Sequence, residues 1–345
     1  MEVGDNEFQK PPQRQLKPEG QTTLEAQQAY WLKGLKDRFN RVFGREKRIG
    51  GRRITIDVFN NRHRSSEETK GMEDQFKKAD IYIPEVFGWT RDYLNDLRRL
   101  SNGEVTPDEI LKKMGEENPL YYARDESLFN LIHRTNKYIT IIDVPENHPL
   151  VRREEEIKFP KIKFGTDFGQ SLNSVRECIK KFAAMQQERE AYMLAQLRPQ
   201  IQELINTHKE LRRKQNINVL MSAGRAHLQL SHKLKEQYNT TKEFSTTPSL
   251  FLYKEEAIIK YMFGVPVEDK LIARTIAEQL LSKDQKKLFV TDDSIEDVRS
   301  ARKLVPRFSL DELKKMFEGA HDLNEWANMF VQGLKERVRV PTAVK

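Results

Sequence analysis

The segment INVLMSAGRAH, residues 217–227, decides the fold of this chain: an apolar run rich in β-formers ends at a glycine and a histidine. Three other short apolar runs, ITIDVF at 54–59, ADIYIP at 79–84 and YITII at 138–142, are separated from it by helical stretches. Such runs, alternating with helices, are typical of the buried strands of a parallel sheet. We therefore predict an α/β fold with a mostly parallel central sheet flanked by helices and a mainly helical C-terminal region.

The composition indicates a polar, soluble protein of the cell interior. The chain has 345 residues and a formal net charge of +8. Because no run approaches about 18 consecutive apolar residues, we expect no transmembrane helix. The N-terminus lacks the apolar core of a secretory signal. A single cysteine, Cys178, cannot form an internal disulfide, which favours a reducing compartment, and we expect a cytoplasmic protein.

Three regions differ in composition. Residues 1–22 are rich in Gln, Pro, Lys and Glu and are predicted to be disordered. Residues 23–254 carry the strand signals and form the predicted catalytic-like α/β domain. Residues 255–345 are predicted to be mainly helical and to end in a basic tail.

Several predicted elements bear on the site. Residues 145–168 are charged and interrupted by prolines, which favours a loop or cover segment. Residues 171–215 predict a long helix, in which Pro199 either breaks the helix or starts a new one. The run at 249–253 predicts a fifth strand.

Each of the four strand runs leads to a residue that can do chemistry. These residues are His63, Glu85, Asp143 and His227. Because the carboxyl ends of parallel strands meet at one edge of a sheet, we expect them to approach one another. The positive end of the following helix dipole should keep His227 neutral, which is the form needed for metal ligation or general-base catalysis.

The long helix supplies an independent signal. Its apolar stripe is interrupted by Gln186 and Arg189, which lie on the face expected to meet the sheet. A buried guanidinium needs an anionic partner, and Glu85 and Asp143 are the candidates. The alternative is that Arg189 reaches the sheet edge as part of a structural ion pair.

The other candidates also have structural interpretations. Glu85 could be an ordinary partner of Arg189 or of a helix N-terminus. Asp143 could cap the segment that follows it. His148 lies near Asp143 in a proline-rich loop and is a lower-ranked site candidate.

The order of these motifs resembles the superfamily that contains the TraB/PrgY proteins, the Tiki proteases, the erythromycin esterases and the ChaN-like haem-binding proteins. In that pattern a first strand ends in G-x-x-H, a second ends in Glu, a helix carries Arg, and a later strand ends in G-x-x-H. Here NNRH at 60–63, Glu85, Arg189 and GRAH at 224–227 are similar to it, within residues 52–240. Asn60 stands where the superfamily has glycine, and its side chain could crowd a metal or substrate.

The resemblance implies a hydrolase that attacks an ester or amide bond of a small-molecule or peptide substrate. His63, Glu85 and His227 would bind Zn, Mn or Co, or position a water molecule, while Arg189 orients Glu85 or stabilises an oxyanion. The first alternative is a non-catalytic protein that binds a peptide, haem or regulatory ligand in the same cleft.

The second alternative is a nucleic-acid-associated protein. It would use the basic cluster of residues 45–53 and the C-terminal tail. Aromatic residues are not interleaved with that cluster, which favours a solvated turn instead.

Overall fold

A computed structural model describes the central and C-terminal parts of the chain. The described residues are 48–61, 66–115, 119–224, 227–244, 252–283 and 303–339. The segment predicted to be disordered, residues 1–22, lies outside them. The domain boundaries stay predictions.

Six described strands form one sheet. They are β1 (Arg48–Ile49), β2 (Arg52–Asn61), β3 (Ile81–Ile83), β4 (Tyr138–Ile139), β5 (Asn216–Gly224) and β6 (Asn239–Phe244). The strand order is β1-β2-β5-β3-β4, and β6 also pairs with β2. Every pairing is parallel except the antiparallel pair β1–β2. The prediction of a mostly parallel sheet is confirmed.

The sheet is covered on both faces, which explains the nearly continuous apolar runs of its central strands. On β2, Ile56 and Val58 belong to one core, whereas Phe59 belongs to the core on the opposite face. On β5, Val219 and Leu220 divide in the same way. The two strands pair in register from Arg53 opposite Asn216 to Asn61 opposite Gly224.

Helices surround the sheet and form the C-terminal region. Those before β5 are α1 (Ser66–Lys78), α2 (Arg91–Asn102), α3 (Pro107–Met114), α4 (Pro119–Ile132), α5 (Pro149–Glu156), α6 (Phe168–Thr207) and α7 (Lys209–Arg213). After β5 come α8 (Leu228–Gln237), α9 (Tyr253–Met262), α10 (Asp269–Lys283), α11 (Leu310–Gly319) and α12 (Leu323–Arg339). No helix among the described ranges is long and apolar enough to cross a membrane.

The 40-residue helix α6 serves two cores. Val175 and Ile179 near its start pack into the C-terminal helical core, whereas Leu197 and Ile201 pack on the sheet. The expected break or restart at Pro199 is wrong, because the helix continues through it to Thr207. Proline removes one backbone hydrogen bond, and the full burial of its neighbours against the sheet offsets that loss.

Other predicted elements also need correction. The strand predicted at 249–253 does not include Tyr253, which begins α9 and is buried in the C-terminal core, while residues 249–251 lie outside the described part. The strand predicted at 138–142 is shorter in the structure, where it covers Tyr138–Ile139. The predicted loop at 145–168 contains α5. The edge strand β6 gave no apolar signal because its sequence, NTTKEF, is polar.

Candidate functional site

Three of the four strand-end candidates meet at the carboxyl edge of the sheet. Glu85 follows β3, Asp143 follows β4, and His227 follows β5. Arg189 reaches them from α6. His63 falls between the described ranges, so its predicted approach to His227 stays a prediction.

The guanidinium of Arg189 lies between two carboxylates. Its Nε donates to Asp143 Oδ1 at 2.9 Å, and its Nη2 donates to Asp143 Oδ2 at 2.5 Å and to Glu85 Oε1 at 2.9 Å. The side chain is 11% exposed, and its Cζ lies 4.7 Å from the centre of the Phe87 ring. The prediction that Arg189 needs an anionic partner is confirmed, and both proposed carboxylates supply one.

The surroundings of Arg189 fix its charge. Burial by itself lowers the pKa of a guanidinium, but the charges of Glu85 and Asp143 outweigh it and raise the pKa above the ordinary value. Asp143 is in turn held by the main chain, because its Oδ1 accepts from the N–H of Val144 at 2.8 Å. The capping role considered for Asp143 and its pairing with Arg189 are therefore both present.

His227 continues the network from Glu85 toward the helix. Its Nε2 lies 2.8 Å from Glu85 Oε1, and its Nδ1 lies 3.0 Å from Gln186 Nε2 and 3.5 Å from Glu190 Oε1. The second oxygen of Glu85 accepts from the N–H of Gly224, the glycine of the GRAH motif. One carboxylate thus joins the ends of β3 and β5 to α6.

The charges around His227 oppose the expectation of a neutral imidazole. Burial lowers the pKa of His227, but the charge of Glu85 and hydrogen bonding to Glu190 and Glu85 raise it to about 9 despite Arg189. Two carboxylates in contact with the ring outweigh the helix dipole, which acts more weakly and over a longer distance. These charges favour the protonated ring, whose Nε2–H donates to Glu85 Oε1.

Glu190 is the residue that sequence reasoning missed. Its side chain is fully buried; Oε1 faces His227 Nδ1 at 3.5 Å, and neither carboxylate oxygen has a closer hydrogen-bond partner in the structure. A signal was available, because Glu190 follows Gln186 by four positions and therefore lies on the same helix face. Together with Gln186 and Arg189, it makes the stripe of α6 above the sheet polar for more than one turn.

The described charges of the cluster do not cancel. Glu85, Asp143 and Glu190 are three carboxylates, against the two cations Arg189 and His227. A buried charge without compensation is costly, so the cluster favours a further cation or proton at this edge.

The described residues alone do not fit the predicted metal centre. Among them, no group of three His, Cys, Asp or Glu side chains could hold a metal ion. Both ring nitrogens of His227 already have protein partners. The site for Zn, Mn or Co therefore stays a prediction that depends on His63, and haem binding is likewise untested.

Asn60, the first residue of NNRH, lies beside the GRAH motif of residues 224–227. It is fully buried at the end of β2 and pairs in register with Ala223, one position before Gly224. The fold thus places the first residue of NNRH alongside the start of GRAH. Whether the side chain obstructs a ligand, as the comparison with glycine suggests, stays a prediction.

His148 lies apart from this network in its described contacts. Its Nδ1 accepts from the N–H of Leu150 at 3.2 Å and caps the N-terminus of α5. Its ring meets the ring of Tyr192 edge-on, with 4.9 Å between centres. The structure therefore gives this lower-ranked candidate a capping role.

His148→Ala should lower the free energy of unfolding by about 1 kcal/mol, because it removes the side-chain acceptor at the start of α5. Urea denaturation measures this loss. His148→Asn, which retains a capping acceptor, should be closer to wild type. Equal losses in the two variants would contradict the capping role.

No protein-family model matches this chain, and neither a curated protein nor a solved structure matches it significantly. The resemblance to the TraB/PrgY, Tiki, erythromycin esterase and ChaN-like superfamily therefore stays a prediction carried by its motifs.

Proposed function

We propose that this chain is a hydrolase of an ester or amide bond in a small molecule or peptide, with Glu85 as the general base. The supporting observation is the buried network His227–Glu85–Arg189–Asp143 at the carboxyl ends of the strands. Apolar side chains of similar size often stabilise a fold as well as buried ion pairs do. Ionised groups gathered at this edge of an α/β sheet are instead typical of a functional site.

Glu85 is the carboxylate best placed to meet a substrate. Its side chain is 11% exposed, whereas those of Asp143 and Glu190 are fully buried. Arg189 and His227 stabilise its ionised form by direct contact. A water molecule on its open side would be oriented for attack on a carbonyl carbon.

In the proposed reaction, Glu85 accepts one proton as the hydroxyl of that water bonds to the carbonyl carbon. The proton then passes to the leaving alkoxide or amine as the C–O or C–N bond breaks. Arg189 supplies positive charge near the developing oxyanion. His227 is almost completely buried, so we assign it a positioning role toward Glu85. No step requires a metal.

Glu85→Gln should lower kcat/KM by at least about 100-fold, because an amide cannot accept the proton of the attacking water. A panel of p-nitrophenyl esters and peptide anilides would identify a cleaved substrate and measure the loss. Circular dichroism would verify that the variant folds.

Glu188→Gln is the matched control. It makes the same chemical change at a half-exposed glutamate of α6 that pairs with Arg153. This variant should retain wild-type kcat/KM. Turnover that survives Glu85→Gln unchanged would contradict the proposal, and a wild-type chain that cleaves none of the panel would favour the ligand-binding alternative.

A further inference from the structure

A basic surface lies at the amino edge of the sheet, opposite the candidate site. The antiparallel pair β1–β2 turns at Gly50 and Gly51, whose positive φ angles of 52° and 79° favour glycine. Around this turn and at the C-terminal end of α7 the chain places six cations: Arg48, Arg52, Arg53, Arg212, Arg213 and Lys214. We call these six residues the amino-edge patch.

Two contacts join the halves of the amino-edge patch. Arg52 Nη2 donates to the carbonyl oxygen of Arg212 at 2.6 Å. The N–H of Arg53 donates to the carbonyl oxygen of Gln215 at 2.9 Å. Segments about 160 positions apart therefore form one surface. Arg45 and Lys47, which belong to the basic cluster of residues 45–53, lie outside the described residues.

The amino-edge patch is strongly cationic and open to solvent. All of its side chains are exposed except that of Arg52, which is half-buried. Two carboxylates contact its margin, since Asp80 pairs with Lys214 and Glu210 accepts from the Tyr138 hydroxyl. Six cations against two carboxylates leave a net charge of +4, half of the formal charge of the whole chain.

Aromatic rings adjoin this charge. Tyr138 at the start of β4 and His208 before α7 are both half-buried, and their ring centres lie 4.3 Å apart. Sequence alone showed no aromatic residues among the basic ones, because the rings come from segments distant in the chain. The fold places them beside Glu210, the second residue of α7.

We propose that the amino-edge patch binds single-stranded nucleic acid through its phosphates, with the Tyr138–His208 pair as a stacking surface. Five of the six cations are arginines, whose planar guanidinium groups bind phosphate oxygens in pairs. Aromatic rings beside a cationic surface suit unpaired bases, which can stack on them.

An anionic membrane is the less suitable partner. Proteins that lie on membranes insert apolar side chains between the headgroups. Among the described residues, the exposed large apolar side chain is Met114, at the end of α3 and outside the amino-edge patch.

The amino-edge patch is separate from the proposed hydrolase site. The patch adjoins Asn216 and the candidate site adjoins Gly224, eight positions along β5, a distance of about 26 Å at the usual strand rise. Substitutions in the amino-edge patch therefore leave the Glu85 network in place.

The test is fluorescence anisotropy with a labelled single-stranded RNA of mixed sequence, about 20 nucleotides long. Wild type should bind with a Kd near the micromolar end of the range for non-specific complexes. The double variant R212E/R213E should weaken binding at least tenfold. It should also flatten the slope of log K against log salt by about 1.4, which corresponds to two lost phosphate contacts on a single strand.

One control tests whether net charge alone explains the loss, and another variant tests whether bases stack on Tyr138. K314E/K315E makes the same charge change on exposed positions of α11 and should bind like wild type. Tyr138→Leu should weaken binding to the single strand more than binding to a duplex of equal length. Any substrate turnover should be unchanged in R212E/R213E.

Three results would overturn the inference. The first is equal weakening by R212E/R213E and K314E/K315E, which would indicate only net charge. The second is equal affinity for single strand and duplex with no effect of Tyr138→Leu. The third is binding to vesicles containing phosphatidylserine without binding to RNA, which would favour a membrane partner.

Discussion

Arg189→Leu should lower the free energy of unfolding by about 3 to 5 kcal/mol. The guanidinium binds Asp143 through two nitrogens and binds Glu85 as well, and all three side chains are almost completely buried. Leucine fills much of the volume but leaves Asp143 without its cation and Glu85 with His227 alone. The loss is measured by urea denaturation at neutral pH.

Arg176→Leu on the same helix is the matched control. Its arginine pairs with Asp269, whose side chain is 57% exposed, so water can replace the lost partner. We expect a loss below about 1 kcal/mol for this exposed pair. The double variant R189L/D143N should be less destabilised than the sum of its single variants, because it removes one of the stranded charges. Equal losses for Arg189→Leu and Arg176→Leu would contradict the burial of the network.

The sequence predicted the parts of this site that follow from local periodicity. Apolar runs located the strands, and parallel pairing then required Glu85, Asp143 and His227 to emerge at one edge. The position of Arg189 on an otherwise apolar stripe required an anionic partner, and the structure supplies it. These conclusions needed only the repeat distances of helix and strand.

Other features depend on contacts between elements and could not be derived that way. The charge of His227 results from Glu85 on one strand end and Glu190 on a helix, and neither distance is visible in the sequence. The edge strand β6 is held by backbone bonds to β2, which polar side chains permit equally well. Burial of Leu197 and Ile201 keeps α6 helical through Pro199, against its local propensity.

The stability of the wild-type chain should fall by about 3 kcal/mol between pH 6 and pH 10 because His227 loses its proton. The pKa of this imidazole is about 9 in the folded chain, and about 6.5 when unfolded. Because the folded state binds the proton more tightly, the stabilisation is complete below pH 6.5. It is lost as the pH rises through 9, when a neutral ring no longer pairs with Glu85 and Glu190.

His227→Gln isolates this contribution from the other groups that titrate at high pH. Urea denaturation of both proteins at several values between pH 6 and pH 10 gives their difference in unfolding free energy. That difference should be largest near pH 6 and shrink by about 3 kcal/mol by pH 10, since glutamine has no proton to lose. Glu190→Gln should reduce the change, because it removes one of the two carboxylates that stabilise the imidazolium. Parallel stability curves for wild type and His227→Gln would show instead that the imidazole is already neutral, and the charge of the whole buried cluster would then need reassignment.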